Sequence, residues 1–125
     1  MLSHRLSIAL VGASFALSAT AGAFDFAGDF SIANGNPNGA WSYGYQTSLG
    51  SSFQAFTTTF SSWQVEQWYT PGLSGDNTPS VYKNISGSPL NQVAHGEVAL
   101  HGGPANQLAV ARLTLATAGS YTVAG

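Results

Sequence analysis

Short segments in which apolar and polar residues alternate follow one another along the chain from residue 24 onwards. A period of two is typical of β-strands that bury one face. The clearest examples are Trp41, Tyr43 and Tyr45 in one segment and Leu108–Leu113 in another. Further strands are predicted within 24–30, 53–60, 63–69, 80–84, 95–101 and 119–125.

Turn-forming residues separate these segments. The densest turn is the NGNPNG run at 34–39, and Thr70–Pro79 and Ser86–Pro89 are further loops. Asn-Gly and Asn-Pro pairs favour turns because they supply a positive φ or a fixed φ. Several short strands with this punctuation, and no long helical period, predict an all-β fold: an antiparallel β-sandwich or jelly roll.

The first 23 residues have the pattern of a signal peptide. Arg5 precedes the apolar stretch Leu6–Leu17, and small residues at Ala19, Ala21 and Ala23 satisfy the small-x-small cleavage rule. A stretch of about 12 apolar residues is too short to span a bilayer, which requires about 20. We therefore expect a secreted or cell-surface protein, with a signal-peptide helix at 1–23 and one β-sandwich domain at 24–125.

Composition excludes several classes of function. Charged residues make up 6% of the chain and aromatic residues 12%, which is the reverse of a disordered sequence. The net charge is −2 and no basic run exists, so we expect no nucleic-acid partner, and we expect no membrane span in the mature chain. Cysteine is absent, which removes disulfide and thiolate chemistry.

Aromatic side chains provide the main binding hypothesis. Indole and phenol rings can stack on sugar C–H faces while neighbouring amides bind the hydroxyls. The ligand-binding candidates are Trp68, Trp41, Tyr43 and Tyr45. The alternative is that such rings form the core, since aromatic residues dominate core burial. Trp68 is the best candidate for exposure because it is out of phase with Trp63 and Val65.

Metal chemistry has weak support. His95, Glu97 and His101 share one face of a continuous strand, but the outer two lie about 20 Å apart, so a solvated polar face is the favoured interpretation. The asparagines at 34, 36 and 38 imitate half of a calcium loop but lack its anionic ligands. We predict no cofactor. Structural calcium at Asp25, Asp29 or Asp76 remains an open alternative.

Three runs near the C-terminus resemble a known family. LHGGP at 100–104, AVARLT at 109–114 and AGSYTVAG at 118–125 are similar to a block in exported bacterial PEP-CTERM-type proteins. The opening NPNG turn and WSYGY strand resemble the same family. Gly102 and Leu113 depart from its usual proline and tryptophan. The resemblance implies a galactose-binding-like jelly roll that continues beyond the strand at 119–125, so we expect the domain to be incomplete at its C-terminus.

These observations favour an exported, non-catalytic β-sandwich of the cell surface or extracellular matrix, with polysaccharide as its partner. No G-x-S-x-G elbow or phosphate loop is present. Two alternatives remain. One is an extracellular glycan hydrolase using Asp25, Asp29, Asp76 or Glu97, which requires two carboxylates about 5–9.5 Å apart. The other is a purely structural surface protein without a ligand.

Overall fold

The computed structural model describes residues 23–119 and 121. These residues form one short helix and seven strands. In chain order the elements are α1 (Phe26–Asp29), β1 (Trp41–Gln46), β2 (Gln54–Ala55), β3 (Thr58–Ser61), β4 (Val65–Tyr69), β5 (Ser80–Asn84), β6 (Val98–His101) and β7 (Leu108–Leu113). The signal peptide predicted at 1–23 lies outside the described residues except for Ala23.

The strands form two antiparallel sheets. One is three-stranded with the order β2-β1-β7, and the other is four-stranded with the order β3-β4-β5-β6. The predicted all-β, antiparallel two-sheet class is therefore confirmed. In the three-stranded sheet β1 pairs with β7 along its whole length, from Trp41 opposite Leu113 to Gln46 opposite Leu108.

Aromatic rings fill the space between the sheets. The buried hydrophobic residues are Phe30, Tyr43, Tyr45, Phe56, Trp68 and Val81. Tyr43 on β1 and Trp68 on β4 stack with ring centroids 6.4 Å apart and planes 23° from parallel. Each buried aromatic side chain removes roughly 150–250 Å² from water, so a small domain can build its core from few residues.

The phase predicted for the segment 63–69 is wrong. We expected Trp63 and Val65 on the core face and Trp68 on the exposed face. Trp68 is instead 6% exposed and Trp63 is 78% exposed. The reason is that Trp63 lies in the turn between β3 and β4, where the Ser62 hydroxyl accepts the N–H groups of Gln64 and Val65. The strand period therefore starts after Trp63 and does not include it.

One aromatic ring packs against the outer face of the three-stranded sheet. Phe53 packs over Gly44, where an added Cβ would meet the Phe53 ring at 2.6–2.7 Å. The guanidinium of Arg112, on β7, lies 4.2 Å from the centroid of the same ring. Gly44 is therefore required by close approach, and Arg112 makes a cation–π contact and is not buried against a carboxylate.

The Asn36 side chain replaces missing strand pairing beside β1. Its Nδ2 donates to the carbonyls of Tyr43 and Phe56 at 2.7 and 2.9 Å, and its Oδ1 accepts the Tyr43 N–H at 2.9 Å. The amide therefore satisfies three backbone groups that belong to two separate segments. This holds the loop before β1 against the sheet.

Asn84, at the end of β5, has the same function in the four-stranded sheet. It is fully buried, and its Nδ2 donates to the carbonyls of Ser88 and Val93. Its Oδ1 accepts both the N–H and the hydroxyl of Ser86. The 85–97 loop is thus folded around one satisfied amide.

Three other predicted strands differ from the structure. The segment 53–60, predicted as one strand, is divided between β2 and β3, which lie in different sheets. The segment 95–101 forms a strand only at Val98–His101. Glu97 precedes that strand because its carboxylate accepts the Ala94 N–H and closes a turn. The strand predicted around Tyr121 and Val123 falls mostly outside the described residues, and Tyr121 itself is not part of a strand.

We predict that Asn36→Asp lowers the free energy of unfolding by about 2–4 kcal/mol. The carboxylate cannot donate, so the Tyr43 and Phe56 carbonyls lose the hydrogen bonds from the Asn36 amide and face a negative charge. Asn34→Asp in the same loop is the control. Asn34 is exposed, and we expect its change to stay within about 0.5 kcal/mol. Urea denaturation followed by circular dichroism measures both, and equal losses would contradict the assignment.

Candidate functional site

The helix α1 forms one wall of the candidate site. Asp25 caps it, since its Oδ1 accepts the N–H groups of Ala27 and Gly28. Asp29 completes the cap, because its Oδ2 accepts the Asp25 N–H at 3.1 Å. The strand predicted for 24–30 is therefore wrong: an aspartate at the N-cap stabilises a helical turn more than the alternating phenylalanines favour a strand. Lys83 on β5 donates to the Ala27 carbonyl and joins α1 to the four-stranded sheet.

The turn before β1 forms the opposite wall. Asn38 and Trp41 exchange backbone hydrogen bonds of 2.8 and 3.0 Å, which closes the turn tightly. The Asn38 Nδ2 donates to the Asp29 carbonyl at 2.6 Å. This bond ties the turn to the end of α1, so the two walls are held at a fixed separation.

The Trp41 ring is oriented by contacts on two sides. Its Nε1 donates to the Asp29 Oδ2 at 3.1 Å. Its ring packs against Phe26, with centroids 4.9 Å apart and an angle of 41° between planes. The indole is half-buried, and the remaining surface lines an open cavity. An aromatic ring fixed in this way needs little reorganisation to receive a flat ligand.

The cavity, called here the Trp41 pocket, lies between α1 and the turn. It has a volume of about 510 Å³, within the usual range of about 300–1,000 Å³ for small-molecule sites. Its polar and aromatic lining residues are Phe24, Asp29, Phe30, Ser31, Asn34, Asn38 and Trp41. A carboxylate, two amides and a hydroxyl thus surround one exposed indole edge, and among the described lining residues none is basic.

A buried hydroxyl lies close to this pocket. Tyr43 is 0% exposed, and its hydroxyl has no hydrogen-bond partner among the described residues. Burial raises the pKa of Tyr43 above its usual value, and the nearby Asp29 carboxylate raises it further. The Asn38 side chain and the Ser31 backbone, both beside the pocket, lower the pKa of Tyr43 and offset part of this rise. The hydroxyl therefore stays protonated at neutral pH.

The structure separates the four predicted ligand-binding residues. Trp68, Tyr43 and Tyr45 are 6%, 0% and 7% exposed and belong to the core. The Trp68 Nε1 donates to the Ser31 carbonyl at 2.8 Å, so its only polar atom is also occupied. The exposure expected of Trp68 is therefore wrong. Among the described cavities, only Trp41 of the four is a lining residue. Its neighbour Asn38 was predicted as a turn residue, and Asp29 as a strand residue and as an alternative calcium or hydrolase carboxylate, so neither was predicted as part of a sugar site.

One sequence signal could have located Asp29 at the end of a helical turn. Asp25 precedes a small-residue turn of Ala27 and Gly28, and a second acid follows one turn later. Such a pattern is close to a capping box, in which an acid in the first turn reaches back to the N-cap N–H. Recognising it would have placed Asp29 at a helix end. The contact with Trp41 is long-range and has no local signature.

His95 and His101 do not converge. The Nδ1 atom of His95 lies 2.7 Å from the Ser86 carbonyl oxygen, and that of His101 lies 2.8 Å from the Gly102 carbonyl oxygen. Only His101 lies in β6, so the shared strand face does not form. Among residues 23–119 and 121, no group of three acidic or histidine side chains is placed to hold a metal ion. In the same part of the chain, no helix has the length and apolar character needed to cross a membrane.

Asp76 organises a second polar cluster in the loop before β5. Its Oδ1 accepts the hydroxyls of Ser74 and Thr78 at 2.5 and 2.7 Å. The Ser74 hydroxyl, followed by that of Thr78, lowers the pKa of Asp76 below its usual value. The carboxylate is therefore ionised in mildly acidic as well as neutral solution.

We predict that Tyr43→Phe leaves stability unchanged or raises it by up to about 1 kcal/mol, because an unpartnered buried hydroxyl carries an uncompensated desolvation cost. Tyr45→Phe is the control. The Tyr45 hydroxyl donates to Gln54 at 2.8 Å, so its loss should cost about 1 kcal/mol. Denaturant titration compares the two variants, and a larger loss in Tyr43→Phe would show that the hydroxyl has a partner.

The Tyr43 prediction extends to alkaline pH. Its folded pKa is raised above the unfolded value of 10.0, so its stabilising contribution is complete below pH 10.0 and is lost as pH rises through the folded pKa. Tyr43→Phe should remove this part of the alkaline loss.

For Asp76 we predict a carboxyl titration midpoint below 3.8 in the folded protein. Its stabilising contribution is present above pH 3.8 and is lost as pH falls through the lowered pKa, because the unfolded state binds the proton first. Carbon-detected NMR of the Asp76 carboxyl group measures the midpoint. Ser74→Ala should shift it upwards, and an unshifted midpoint in this variant would contradict the hydrogen-bond assignment.

Comparisons of the chain with protein-family models, with curated protein sequences and with solved structures gave no match.

Proposed function

We propose that this protein is an exported, non-catalytic β-sandwich of the cell surface or extracellular matrix that binds polysaccharide in the Trp41 pocket. The observation that carries the proposal is the grouping of the Trp41 indole with Asp29, Asn34 and Asn38 around one preformed cavity. Sugars present apolar C–H faces and a surrounding set of hydroxyls, so an indole with adjacent amide and carboxylate groups complements them.

The hydrogen bonds already present define what the pocket offers a ligand. Asp29 uses Oδ2 for Trp41 and for the Asp25 N–H, and no described hydrogen bond uses its Oδ1. The Asn34 side chain makes none of the described hydrogen bonds. These groups supply acceptors and donors for hydroxyls without breaking internal contacts, which keeps the cost of binding low.

The acidic residues support binding in preference to hydrolysis. A glycosidase requires one carboxylic acid that donates a proton and a second carboxylate across the bond. Asp25 caps α1, Glu97 closes a turn and Asp76 accepts two hydroxyls. For Asp76 the lowered pKa is the opposite of what a general acid needs. Each of these carboxylates has a structural partner, so the proposal assigns none of them a catalytic role.

We predict that Trp41→Ala weakens binding to a neutral polysaccharide by about tenfold or more, the factor that ~1.4 kcal/mol produces. A panel of a soluble glucan, a mannan and a galactan, tested by affinity electrophoresis, identifies the polymer, and calorimetry gives the dissociation constant. Trp63→Ala is the matched control, since Trp63 is exposed and does not line the pocket. We expect this variant to bind as the native chain does.

Asn34→Ala separates binding from folding. Asn34 is exposed and lines the pocket, so this variant should stay folded, whereas Trp41 also contacts Phe26 and the core. Loss of one ligand hydrogen bond should weaken binding by about 2–10-fold. The proposal is overturned if the native protein binds no polysaccharide of the panel. It is also overturned if Trp41→Ala and Trp63→Ala bind equally well.

A further inference from the structure

The four-stranded sheet has a groove on its outer face. Strand residues alternate between faces, and Trp68 and Val81 point into the core. Their neighbours Gln67 and Tyr82 are paired across β4 and β5 and must therefore face outwards. The groove has a volume of about 210 Å³, and its polar lining residues are Gln67, Asp76, Thr78, Ser80, Tyr82, Asn91 and His101.

Two rigid loops form the walls of this groove. The 70–79 loop is held by the Gln67 Nε2, which donates to the Asn77 carbonyl at 2.8 Å, and by the hydroxyl cluster around Asp76. The 85–97 loop is folded around the buried Asn84 amide. Since both loops are fixed by internal hydrogen bonds, the groove exists before any ligand binds.

The groove offers the same chemistry as the Trp41 pocket. Tyr82 is half-buried and supplies an aromatic ring. The Nδ1 atom of His101 lies beside the Gly102 carbonyl oxygen, and no described hydrogen bond uses its Nε2, which can therefore bind a ligand hydroxyl. No described hydrogen bond uses the Asn91 side chain or the Asp76 Oδ2. One ring, an imidazole, an amide and a carboxylate thus line a preformed depression, again with no basic Lys or Arg among the described lining residues.

The two sites are separate. They share no lining residue. Trp41 packs against the core cluster between the sheets, whereas Tyr82 lies on the face of the four-stranded sheet that points away from that core. A single sugar unit therefore cannot contact both Trp41 and Tyr82, and occupation of one site leaves the other open.

We infer that the outer-face groove is a second binding site for neutral polysaccharide, so that one molecule crosslinks two polysaccharide chains. This inference rests on the proposed function of the Trp41 pocket and adds a stoichiometry of two. A polymer chain that reaches both sites of one molecule is also bound more tightly, because its second contact is made at high effective concentration.

The test uses the intact chain with the neutral polysaccharide identified for the Trp41 pocket and with a short oligosaccharide of the same sugar. Calorimetry should give two oligosaccharides per native chain and one each for Tyr82→Ala and Trp41→Ala. With the polymer, the native protein should raise solution viscosity, and either variant should bind without doing so. Affinity of Tyr82→Ala for the polymer should fall about tenfold or more.

Controls distinguish the possible failures. Ser61→Ala, at an exposed position on β3 outside the groove, should behave as the native chain. His101→Ala provides a second groove variant with an exposed side chain and should lower the stoichiometry in the same way. Light scattering of the protein alone tests whether crosslinking comes from self-association.

Three outcomes would overturn the inference. A stoichiometry of one that is lost in Trp41→Ala and unchanged in Tyr82→Ala removes the second site and leaves the proposed function intact. The second site is also removed if the protein is a dimer and Tyr82→Ala still crosslinks the polysaccharide. Absence of binding to every polysaccharide removes both the second site and the proposed function.

Discussion

The contact between Trp68 and Tyr43 is the interaction on which the rest of this structure depends. It joins the two sheets through stacked rings. The indole N–H of Trp68 also reaches across to the Ser31 carbonyl, which positions the segment between α1 and β1. The same residue therefore sets the distance between sheets and the location of the pocket wall. A buried tryptophan is suited to this because it combines a large apolar surface with one directional donor.

Asparagine side chains, more than charged ones, hold the loops of this protein in place. With charged residues at 6%, few ion pairs can fix the loops. Asn36 and Asn84 do so by satisfying several backbone groups each. An asparagine can donate two hydrogen bonds and accept two, which is the capacity needed to replace a missing strand neighbour. These hydrogen bonds make the loops rigid, and both candidate sites lie against such loops.

Period-two patterning predicted most of the strands. It located β1, β5 and β7 and the two-sheet class. It failed at 24–30, where an N-cap aspartate outweighed the pattern, and at Trp63, where a turn interrupted the phase. The pocket was predicted only through Trp41. Its contacts with Asp29 and Asn38 join residues separated by loops, and a single sequence carries no record of which turn folds onto which helix.

The three tryptophans occupy three different environments, and this gives the molecule built-in optical probes. Trp68 is in the core, Trp41 is half-buried beside a carboxylate, and Trp63 is 78% exposed on a hairpin turn. Their emission wavelengths should differ, from blue-shifted for the core indole to red-shifted for the exposed one. A soluble quencher should reach Trp63 first and Trp68 last. Chains that retain one tryptophan at a time would therefore report separately on the sheet interface, the pocket and the β3–β4 turn.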